Sequence, residues 1–312
     1  MSNVLSIIDS HQYVAGVPYN RQFQISLGRH FNTTYITLDD IKRNKIKGEL
    51  HKFDMVISSL RLRTLVQNLG LIKDYLNNHP VIIYEQDPWE AFITDGPYEG
   101  SYYDINEKLN VITFVNTTEF WTNFIRDRGL PGMSVTMGIL PELCKNYIPW
   151  NQRKYDVVFM GGMKSHRKKF FENLKSMKVD VEFLPRKNHE GFLESMRLSK
   201  IFLHNMHNPP FIIEGKQWDM WFGYPWTKDI EIAAMGCYAV TNKRDGMQHY
   251  GIDNISLIQT FECMDEIPDI IEEIHNKTLD QVHNEIKESI SYIKATDHWS
   301  SVKKIAEIIT KG

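Results

Sequence analysis

The chain has 312 residues and a formal net charge of −3, with 39 acidic side chains against 36 lysines and arginines. This length is sufficient for two domains, and the charge shows no global bias towards nucleic acids or membrane surfaces. The three cysteines are scattered, without the spacing of metal ligands or of a disulfide framework, which favours a reduced, cytoplasmic setting. The N-terminal stretch lacks the regions of a signal peptide, and no window is apolar enough to span a membrane.

Short apolar runs separated by helical stretches recur along the first half of the chain. They predict buried strands at VLSIID (4–9), YITL (35–38), FDMVISS (53–59), VIIYEQD (81–87), VITFVN (111–116) and SVTMGILPEL (134–143). A helix is predicted over NRQFQISLGRHF (20–31). Strands that alternate with helices are typical of a parallel α/β sheet of the Rossmann type.

A polar, proline-containing segment at 144–156 predicts a linker, and the same pattern then begins again. The later strands are predicted at YDVVFMGG (155–162), VDVEFLP (179–185), KIFLHNM (200–206), CYAVTN (237–242) and ISLI (255–258). The tail from about Leu279 is helical and charged. We therefore predict two Rossmann-like domains in tandem with a cleft between them, where ligands bind beyond the carboxyl ends of the strands.

The strand predicted at 155–162 ends in two glycines, Gly161 and Gly162, and a helix then begins in a basic turn that contains Lys164 and Arg167. Glycines let a phosphate approach the backbone, and the N-terminus of a helix favours anions. The spacing is neither that of a P-loop nor G-x-G-x-x-G. A solvated basic helix end would have the same composition, but the order of strand, glycines and cations favours a phosphate site.

The stretch WTKDIEIAAMGCYAVTN (226–242) combines a charged pair, small residues and a buried strand. Lys228 and Glu231 are three residues apart and share one helix face, and Gly236 ends the helix. A carboxylate at a helix start can accept two hydrogen bonds from a ribose diol, and a lysine one turn earlier can reach a diphosphate. The alternative is a surface ion pair worth about 0.2–0.5 kcal/mol. The phosphate site predicted at the two glycines lies in the same half of the chain, and the two sites together favour binding of a nucleotide diphosphate.

These motifs resemble those of the GT-B-fold glycosyltransferases. KDIEIAAMGCYAVTN (228–242) resembles the R-x-F-E-x-x-A-x-G stretch of their donor domain, with Lys228 in place of arginine. The segments at 249–274 and 296–309 resemble the region that follows this stretch and the terminal helix of the family. The order of motifs is similar to that of the spore-maturation type of bacterial transferases and of phage DNA β-glucosyltransferases. The likeness covers most of the C-terminal half well and the N-terminal half loosely.

The resemblance implies a division of labour along the chain. Residues 1–150 would form the acceptor-side Rossmann-like domain, and residues 151–295 would bind the nucleotide-sugar donor. Residues 296–312 would form a C-terminal helix that packs back onto the N-terminal domain. The two Rossmann-like domains of such a GT-B protein face each other across a cleft.

The resemblance also assigns roles to the donor-side residues. It implies that Glu231 holds the ribose, while Lys228, Lys164 and Arg167 neutralise the diphosphate. A lysine is a point charge and lacks the bidentate fork of the arginine that the family has at position 228.

The candidate general base lies in the first half of the chain. In the phage enzymes an aspartate after a similar strand is the general base, and Asp87, which stands before Pro88, is the corresponding residue here. Glu85 and Glu90 are rival candidates. A turn or helix-capping role is the alternative for Asp87.

Two loops carry further candidate ligand contacts. The loop after the first strand contains His11, Tyr13 and Gly16, which could line an acceptor site. A later loop is rich in aromatic residues that could stack on a base or a sugar ring, or could simply form a packed loop: Trp218, Trp221, Phe222, Tyr224 and Trp226.

The sequence therefore predicts a metal-independent glycosyltransferase that moves a sugar from a nucleotide-diphosphate sugar, with a UDP-sugar favoured, to a hydroxyl acceptor. We expect no cofactor besides this co-substrate, since no D-x-D metal motif is present and cations could stabilise the leaving diphosphate. The acceptor could be a glycan, a lipid-linked sugar or hydroxymethylated DNA, although the net charge gives no support to DNA. The alternatives are a DNA-modifying glucosyltransferase, a non-catalytic nucleotide-sugar-binding protein and a UDP-sugar epimerase.

Overall fold

A computed structural model describes residues 1–9, 18–85, 87–136, 138–144, 146–163, 165–185, 187–204, 211–218, 227–244, 251–296 and 298–309. The chain divides into two compact units. The first unit consists of Met1–Thr136, Pro210–Gly223 and Trp299–Gly312, and the second of Met137–Pro209 and Tyr224–His298. The assignment of residues 1–150 to an acceptor and 151–295 to a donor remains a prediction.

The first unit contains a six-stranded parallel sheet in the order β2-β1-β3-β4-β5-β6. Its strands are β1 (Asn3–Ile8), β2 (Asn32–Thr37), β3 (Met55–Ser58), β4 (Val81–Tyr84), β5 (Val111–Asn116) and β6 (Gly132–Ser134). Its helices are α1 (Pro18–His30), α2 (Leu38–Lys42), α3 (Leu62–Gln67), α4 (Leu69–Leu76), α5 (Ser101–Lys108) and α6 (Glu119–Arg126), with 3-10 turns at Lys47–Lys52 and Pro88–Ala91. The central strands β3 and β4 are buried along their whole length, which explains their unbroken apolar sequences.

Two later segments of the chain complete the first unit. A 3-10 helix (His298–Lys304) and α12 (Ile305–Ile309) follow the long C-terminal helix. The indole N–H of Trp299 donates to Gln22 at 3.2 Å, and Ser26 donates to the carbonyl of Trp299 at 2.9 Å. Both partners lie on α1, so the predicted return of the C-terminal segment to the N-terminal domain is confirmed.

The second unit contains a five-stranded parallel sheet in the order β13-β12-β9-β7-β8. Its strands are β7 (Tyr155–Phe159), β8 (Glu182–Phe183), β9 (Ser199–His204), β12 (Tyr238–Asn242) and β13 (Ile258–Phe261). Its helices are α7 (Ser165–Ser176), α8 (His189–Arg197), α9 (Thr227–Ala234), α10 (Ile267–Asn276) and α11 (Leu279–Thr296). Short 3-10 turns occur at Pro141–Leu143, Trp150–Gln152, Ile252–Asn254 and Met264–Glu266.

Most of the predicted strands are confirmed in order and type, with shifted ends, but the strand predicted at 255–258 shares only Ile258 with β13. The run at 111–116 coincides with β5, whereas β4 ends at Tyr84, before the predicted Asp87. The strand predicted at 134–143 is wrong beyond Ser134, the last residue of β6. Farther along this run, Pro141, which lacks an N–H group, begins a 3-10 turn. The first unit also contains a small antiparallel hairpin that was not predicted, β10 (Phe211–Ile213) and β11 (Lys216–Trp218).

Gly236 shows why the helix α9 ends where the sequence predicts. Its φ angle is +74°, a conformation that side chains other than glycine rarely adopt. A Cβ atom there would lie 2.7 Å from Nη2 of Arg153. Ala233 and Ala234 are fully buried, and their small side chains let α9 pack closely against β12 and α11.

The cysteines are free thiols: Cys237 is buried, Cys144 is half-buried and Cys263 is exposed. Among the helices of the described residues, none has the length and apolar character that crossing a membrane requires.

Candidate active site

Both sheets have a topological switch point, and the candidate residues lie beside these points. In the first sheet the chain runs from β1 to β2 on one side and then to β3 on the other. In the second sheet it runs from β7 to β8 on one side and then to β9 on the other. Open parallel sheets bind ligands beyond the carboxyl ends of the strands at such points. The two candidate sites therefore follow β1 and β3 in one unit, and β7 and β9 in the other.

In the second unit, Gly161 and Gly162 follow β7 closely. A Cβ atom on Gly161 would lie 2.9 Å from the ring of Phe159, whereas nothing lies within 4 Å of such an atom on Gly162. Nη1 of Arg167, on the first turn of α7, donates to the carbonyl of Gly162 at 2.9 Å. Its Nε atom is buried without a hydrogen-bond partner among the described residues. The guanidinium thus lies over the glycine pair with a donor still available.

Lys228 and Glu231 lie on the face of α9 that contacts α8. Nζ of Lys228 is 5.3 Å from the centre of the Phe192 ring. Oε1 of Glu231 lies 2.8 Å from Nε2 of His189, and both of these side chains are 1% exposed. The other ring nitrogen of His189, Nδ1, is buried with no hydrogen-bond partner in the part of the chain that is described. Glu231 is therefore a buried carboxylate held by an imidazole, not a member of a surface ion pair.

A second buried cluster, which the sequence analysis missed, lies at the same edge of the sheet. His204 ends β9, Asp229 is on the first turn of α9, and Arg244 lies two residues beyond β12. Oδ1 of Asp229 is 2.5 Å from Nδ1 of His204, and its other oxygen accepts a hydrogen bond from Arg244. Burial lowers the pKa of His204 to about 4; Asp229 opposes this, whereas Lys228 and Arg244 contribute to it. The imidazole is therefore neutral at physiological pH.

In the first unit, a set of charged side chains lies at the switch point. Asp9 follows β1, Arg61 lies beyond β3, and Asp87 lies beyond β4. Nη1 of Arg61 is 2.7 Å from Oδ2 of Asp87, and these side chains are 40% and 26% exposed. Burial raises the pKa of Asp9, and the charge of Arg61 opposes that shift. Arg61, which the sequence analysis did not consider, thus pairs with the candidate base.

The two rival carboxylates differ from Asp87 in their surroundings. Glu85 is 3% exposed, and its two oxygens accept backbone N–H groups at 2.7 and 3.0 Å. Burial, with the negative charge of Asp87 nearby, raises the pKa of Glu85 to about 8. Burial also raises the pKa of Glu90, again with a contribution from Asp87. Glu85 has no oxygen directed to solvent, so Asp87 and Glu90 are the carboxylates that an acceptor could reach.

Several predicted contacts fall outside the described residues: His11, Tyr13, Gly16, Lys164, Trp221, Phe222, Tyr224 and Trp226. Trp218 is described, on β11 of the hairpin in the first unit. Its ring centre lies 5.7 Å from that of Phe120 and 5.8 Å from that of Phe124, as expected of a packed loop. The described residues contain no group of three or more His, Cys, Asp or Glu side chains placed to hold a metal ion.

Comparison by sequence gives no relatives: no protein-family model matches the chain, and no curated protein matches it. Comparison by structure finds similar proteins. Anabaena HepE in complex with UDP and glucose is 11% identical, with a TM-score of 0.61 over 100% of both chains. Sucrose-phosphate synthase from Thermosynechococcus elongatus is 11% identical, with a TM-score of 0.61 over 100% of this chain and 98% of that one.

A third similar structure is an α-glucosyltransferase in complex with UDP-glucose and DNA containing an abasic site. It is 10% identical, with a TM-score of 0.62 over 99% of both chains. Identities this low establish the fold and not the activity. The agreement extends over nearly the whole chain and includes both parallel sheets. The predicted fold is therefore confirmed: the chain has the GT-B fold, with two Rossmann-like units.

Proposed function

We propose that the protein is a glycosyltransferase that moves a sugar from a nucleoside-diphosphate sugar, of the UDP-sugar class, to a hydroxyl acceptor. The observation that carries this proposal is the arrangement at the carboxyl edge of the second sheet. There, Arg167 on α7 donates to the glycine pair that follows β7, and Lys228 and the buried carboxylate Glu231 lie on α9, which comes after β9, the strand next to β7. Similar folds bound to UDP or UDP-glucose add support.

Each donor-side residue has a role in this proposal. The carboxylate of Glu231 is assigned to the ribose hydroxyls, because carboxylate oxygens accept hydrogen bonds from hydroxyl groups. Lys228, Arg167 and Lys164 neutralise the diphosphate as it leaves. The second unit is then the donor domain and the first the acceptor domain.

The first unit favours an uncharged acceptor. Four carboxyl groups, of which Glu85 has a pKa raised to about 8, and one arginine side chain lie near its switch point: Asp9, Glu85, Asp87, Glu90 and Arg61. Carboxylates accept hydrogen bonds from sugar hydroxyls but repel phosphate groups. We therefore propose a sugar or glycan hydroxyl as the acceptor. Hydroxymethylated DNA, suggested by the DNA-bound α-glucosyltransferase of similar fold, is the competing acceptor.

Asp87 is the proposed general base that takes the proton of the acceptor hydroxyl. A base of this kind belongs to an inverting transfer, which turns an α-linked UDP-sugar into a β-linked product. The name of one protein with a similar fold, the DNA-bound α-glucosyltransferase, favours the opposite outcome. The anomeric configuration of the product therefore tests the role of Asp87 separately from the transfer itself.

We propose that the transfer requires no metal ion or further cofactor, because Lys228, Arg167 and Lys164 supply the positive charge that the leaving diphosphate needs. Transfer measured with and without EDTA tests this point. A loss of activity in EDTA that Mg²⁺ or Mn²⁺ restores would contradict it.

The decisive experiment begins with thermal unfolding in the presence of UDP, GDP, TDP, ADP and CMP sugars. A nucleotide present at 100 times its Kd stabilises the protein by about 2.7 kcal/mol, and we expect the largest shift with UDP-sugars. The stabilising donor, carrying a labelled sugar, is then incubated with free sugars, glycans and hydroxymethylated DNA. Labelled product on a sugar acceptor supports the proposal, and product on DNA alone identifies the competing acceptor.

Two results would overturn the proposal. If none of the nucleotide sugars stabilises the protein, the donor site is wrong. Binding without transfer to any acceptor would instead favour a non-catalytic binding protein. Release of a sugar isomer without an acceptor would indicate an epimerase, an alternative to which neither the site nor the similar folds add support.

A further inference from the structure

A buried carboxylate connects two strand-end loops of the first unit. Glu85, directly after β4, accepts the backbone N–H of Leu62 on Oε2 at 2.7 Å and that of Asp87 on Oε1 at 3.0 Å. Leu62 begins α3, beyond β3, whereas Asp87 lies beyond β4. One side chain therefore fixes the backbone of two neighbouring loops at the carboxyl edge of the sheet.

The same two loops carry the ion pair between Arg61 and Asp87. Arg61 directly precedes Leu62, whose backbone N–H donates to Glu85. Glu85 also accepts the backbone N–H of Asp87, so it fixes the chain at both partners of the ion pair. The side chains of the pair are 40% and 26% exposed, whereas Glu85 is 3% exposed. The two hydrogen bonds and the ion pair connect Glu85, Arg61 and Asp87 in a closed ring. Glu85 is the buried member of this ring, and the charged groups of Arg61 and Asp87 are partly exposed.

The second of these hydrogen bonds distinguishes Glu85 from an ordinary helix cap. Capping α3 requires only the bond to the N–H of Leu62. The bond to the N–H of Asp87 contributes nothing to that helix, but it fixes the loop from which the carboxylate of Asp87 projects. Glu85 itself cannot act as the base, because both oxygens are occupied and a base must reach the hydroxyl at hydrogen-bond distance.

We propose that Glu85 is a positioning residue that holds Asp87 and Arg61 in the geometry in which they meet the acceptor hydroxyl. The inference rests on the proposed function, because Glu85 acts through the proposed base. Such support matters because small displacements of a reacting group cause large losses in rate.

The kinetic test replaces Glu85 with glutamine, which keeps the shape but turns one acceptor oxygen into an NH₂ group that cannot accept a backbone N–H. We expect kcat to fall about twofold to tenfold at neutral pH, the range for losing a hydrogen bond to an uncharged group, while the KM for the donor is unchanged. In an Asp87→Asn background, Glu85→Gln should have little further effect, because residues that act as a unit are not additive.

The matched control is Glu99→Gln. Glu99 also accepts a backbone N–H, that of Asp95 at 2.7 Å, in the same unit, and it takes no part in the hydrogen bonds of Glu85 or in the ion pair of Asp87. Glu99→Gln should keep the wild-type kcat. Any small loss of kcat that it causes should be the same factor with and without Asp87→Asn.

A measurement without substrate separates this inference from the proposed function. In protein labelled with ¹⁵N-arginine, the guanidinium resonances of Arg61 should be resolved, because the ion pair slows rotation of the group. They should broaden in Glu85→Gln while the circular dichroism spectrum is unchanged. Unchanged Arg61 resonances, or kinetic losses that add to those of Asp87→Asn, would overturn the positioning role. If the wild-type protein transfers no sugar, the proposed function fails, and the resonances alone decide the role of Glu85.

Discussion

Replacing Glu231 with glutamine is the sharpest test of the donor site. The carboxylate is 1% exposed and lies 2.8 Å from the imidazole of His189. Alanine is unsuitable here, because it would leave a buried imidazole without a partner and a cavity beside it. Breaking a buried pair in this way costs about 3–5 kcal/mol. Glutamine keeps the shape, and its amide oxygen can still accept the N–H of His189.

Two magnitudes follow for Glu231→Gln. The bond to His189 changes from one with a charged acceptor, worth about 1.5–3 kcal/mol, to a neutral one worth about 0.5–1.5 kcal/mol. The stability of the second unit should therefore fall by about 1 kcal/mol. Hydrogen bonds from the ribose hydroxyls weaken in the same way. With two such bonds, the affinity for UDP should fall by about 2 kcal/mol, which is roughly thirtyfold.

The assay is isothermal titration calorimetry with UDP, together with thermal unfolding in the absence of nucleotide. Glu172→Gln is the matched control, since Glu172 lies on α7 of the same unit and its side chain is 63% exposed. The control should change neither quantity. If folded Glu231→Gln binds UDP within twofold of the wild type, Glu231 does not hold the ribose and its pair with His189 is purely structural.

Three further outcomes are expected. Arg167→Ala should raise the donor KM or lower kcat about tenfold to hundredfold in steady-state kinetics, whereas Lys168→Ala, whose side chain is 72% exposed, should behave as wild type. Asp87→Asn should reduce transfer about 10²–10⁴-fold with unchanged UDP affinity; transfer that survives with retained anomeric configuration would leave Asp87 only as the ion-pair partner of Arg61. Burial, assisted by neighbouring cations, lowers the pKa of His204 to about 4, so between about pH 6.5 and 4 the unfolded chain binds a proton that the folded chain does not. Stability in urea titrations should therefore fall by about 3 kcal/mol as the pH is lowered through this window, and a His204→Gln variant that kept the same dependence would contradict that origin.

The sheets were predictable because each strand has an apolar pattern within its own few residues. Parallel strands covered on both faces are mostly apolar, and the mostly apolar run VITFVN (111–116) coincides with β5 for that reason. The hairpin β10–β11 gave no such signal. Its turn has two residues with positive φ, Glu214 at 51° and Gly215 at 75°, and a glutamate in that position is not a turn signature.

The candidate site was predictable only where its residues are close in sequence. Lys228 and Glu231 share a helix face because they are three residues apart. The cluster of His204, Asp229 and Arg244 depends instead on the strand order, which places the ends of β9 and β12 side by side. Each of its members ends or follows a strand or begins a helix, and this position is the only indication of the cluster that the sequence offers. The partner of Glu231 was missed because nothing local connects position 231 to His189.

The charge at the two switch points gives the strongest reason to assign donor and acceptor to different units. Both sheets have the same kind of strand order, so topology alone would allow a diphosphate at either edge. The edge of the second sheet has three cations, Arg167, Lys228 and Arg244, and two carboxylates, Asp229 and Glu231, whereas the first has Arg61 among four carboxyl groups. A diphosphate bound in the first unit would meet these carboxylates at short range, where like charges repel by several kcal/mol even at an effective dielectric constant of about 20. Hydroxyl groups carry no such penalty, and they are the groups that a carboxylate can hold and deprotonate. We therefore propose that the donor binds the second unit and the acceptor the first.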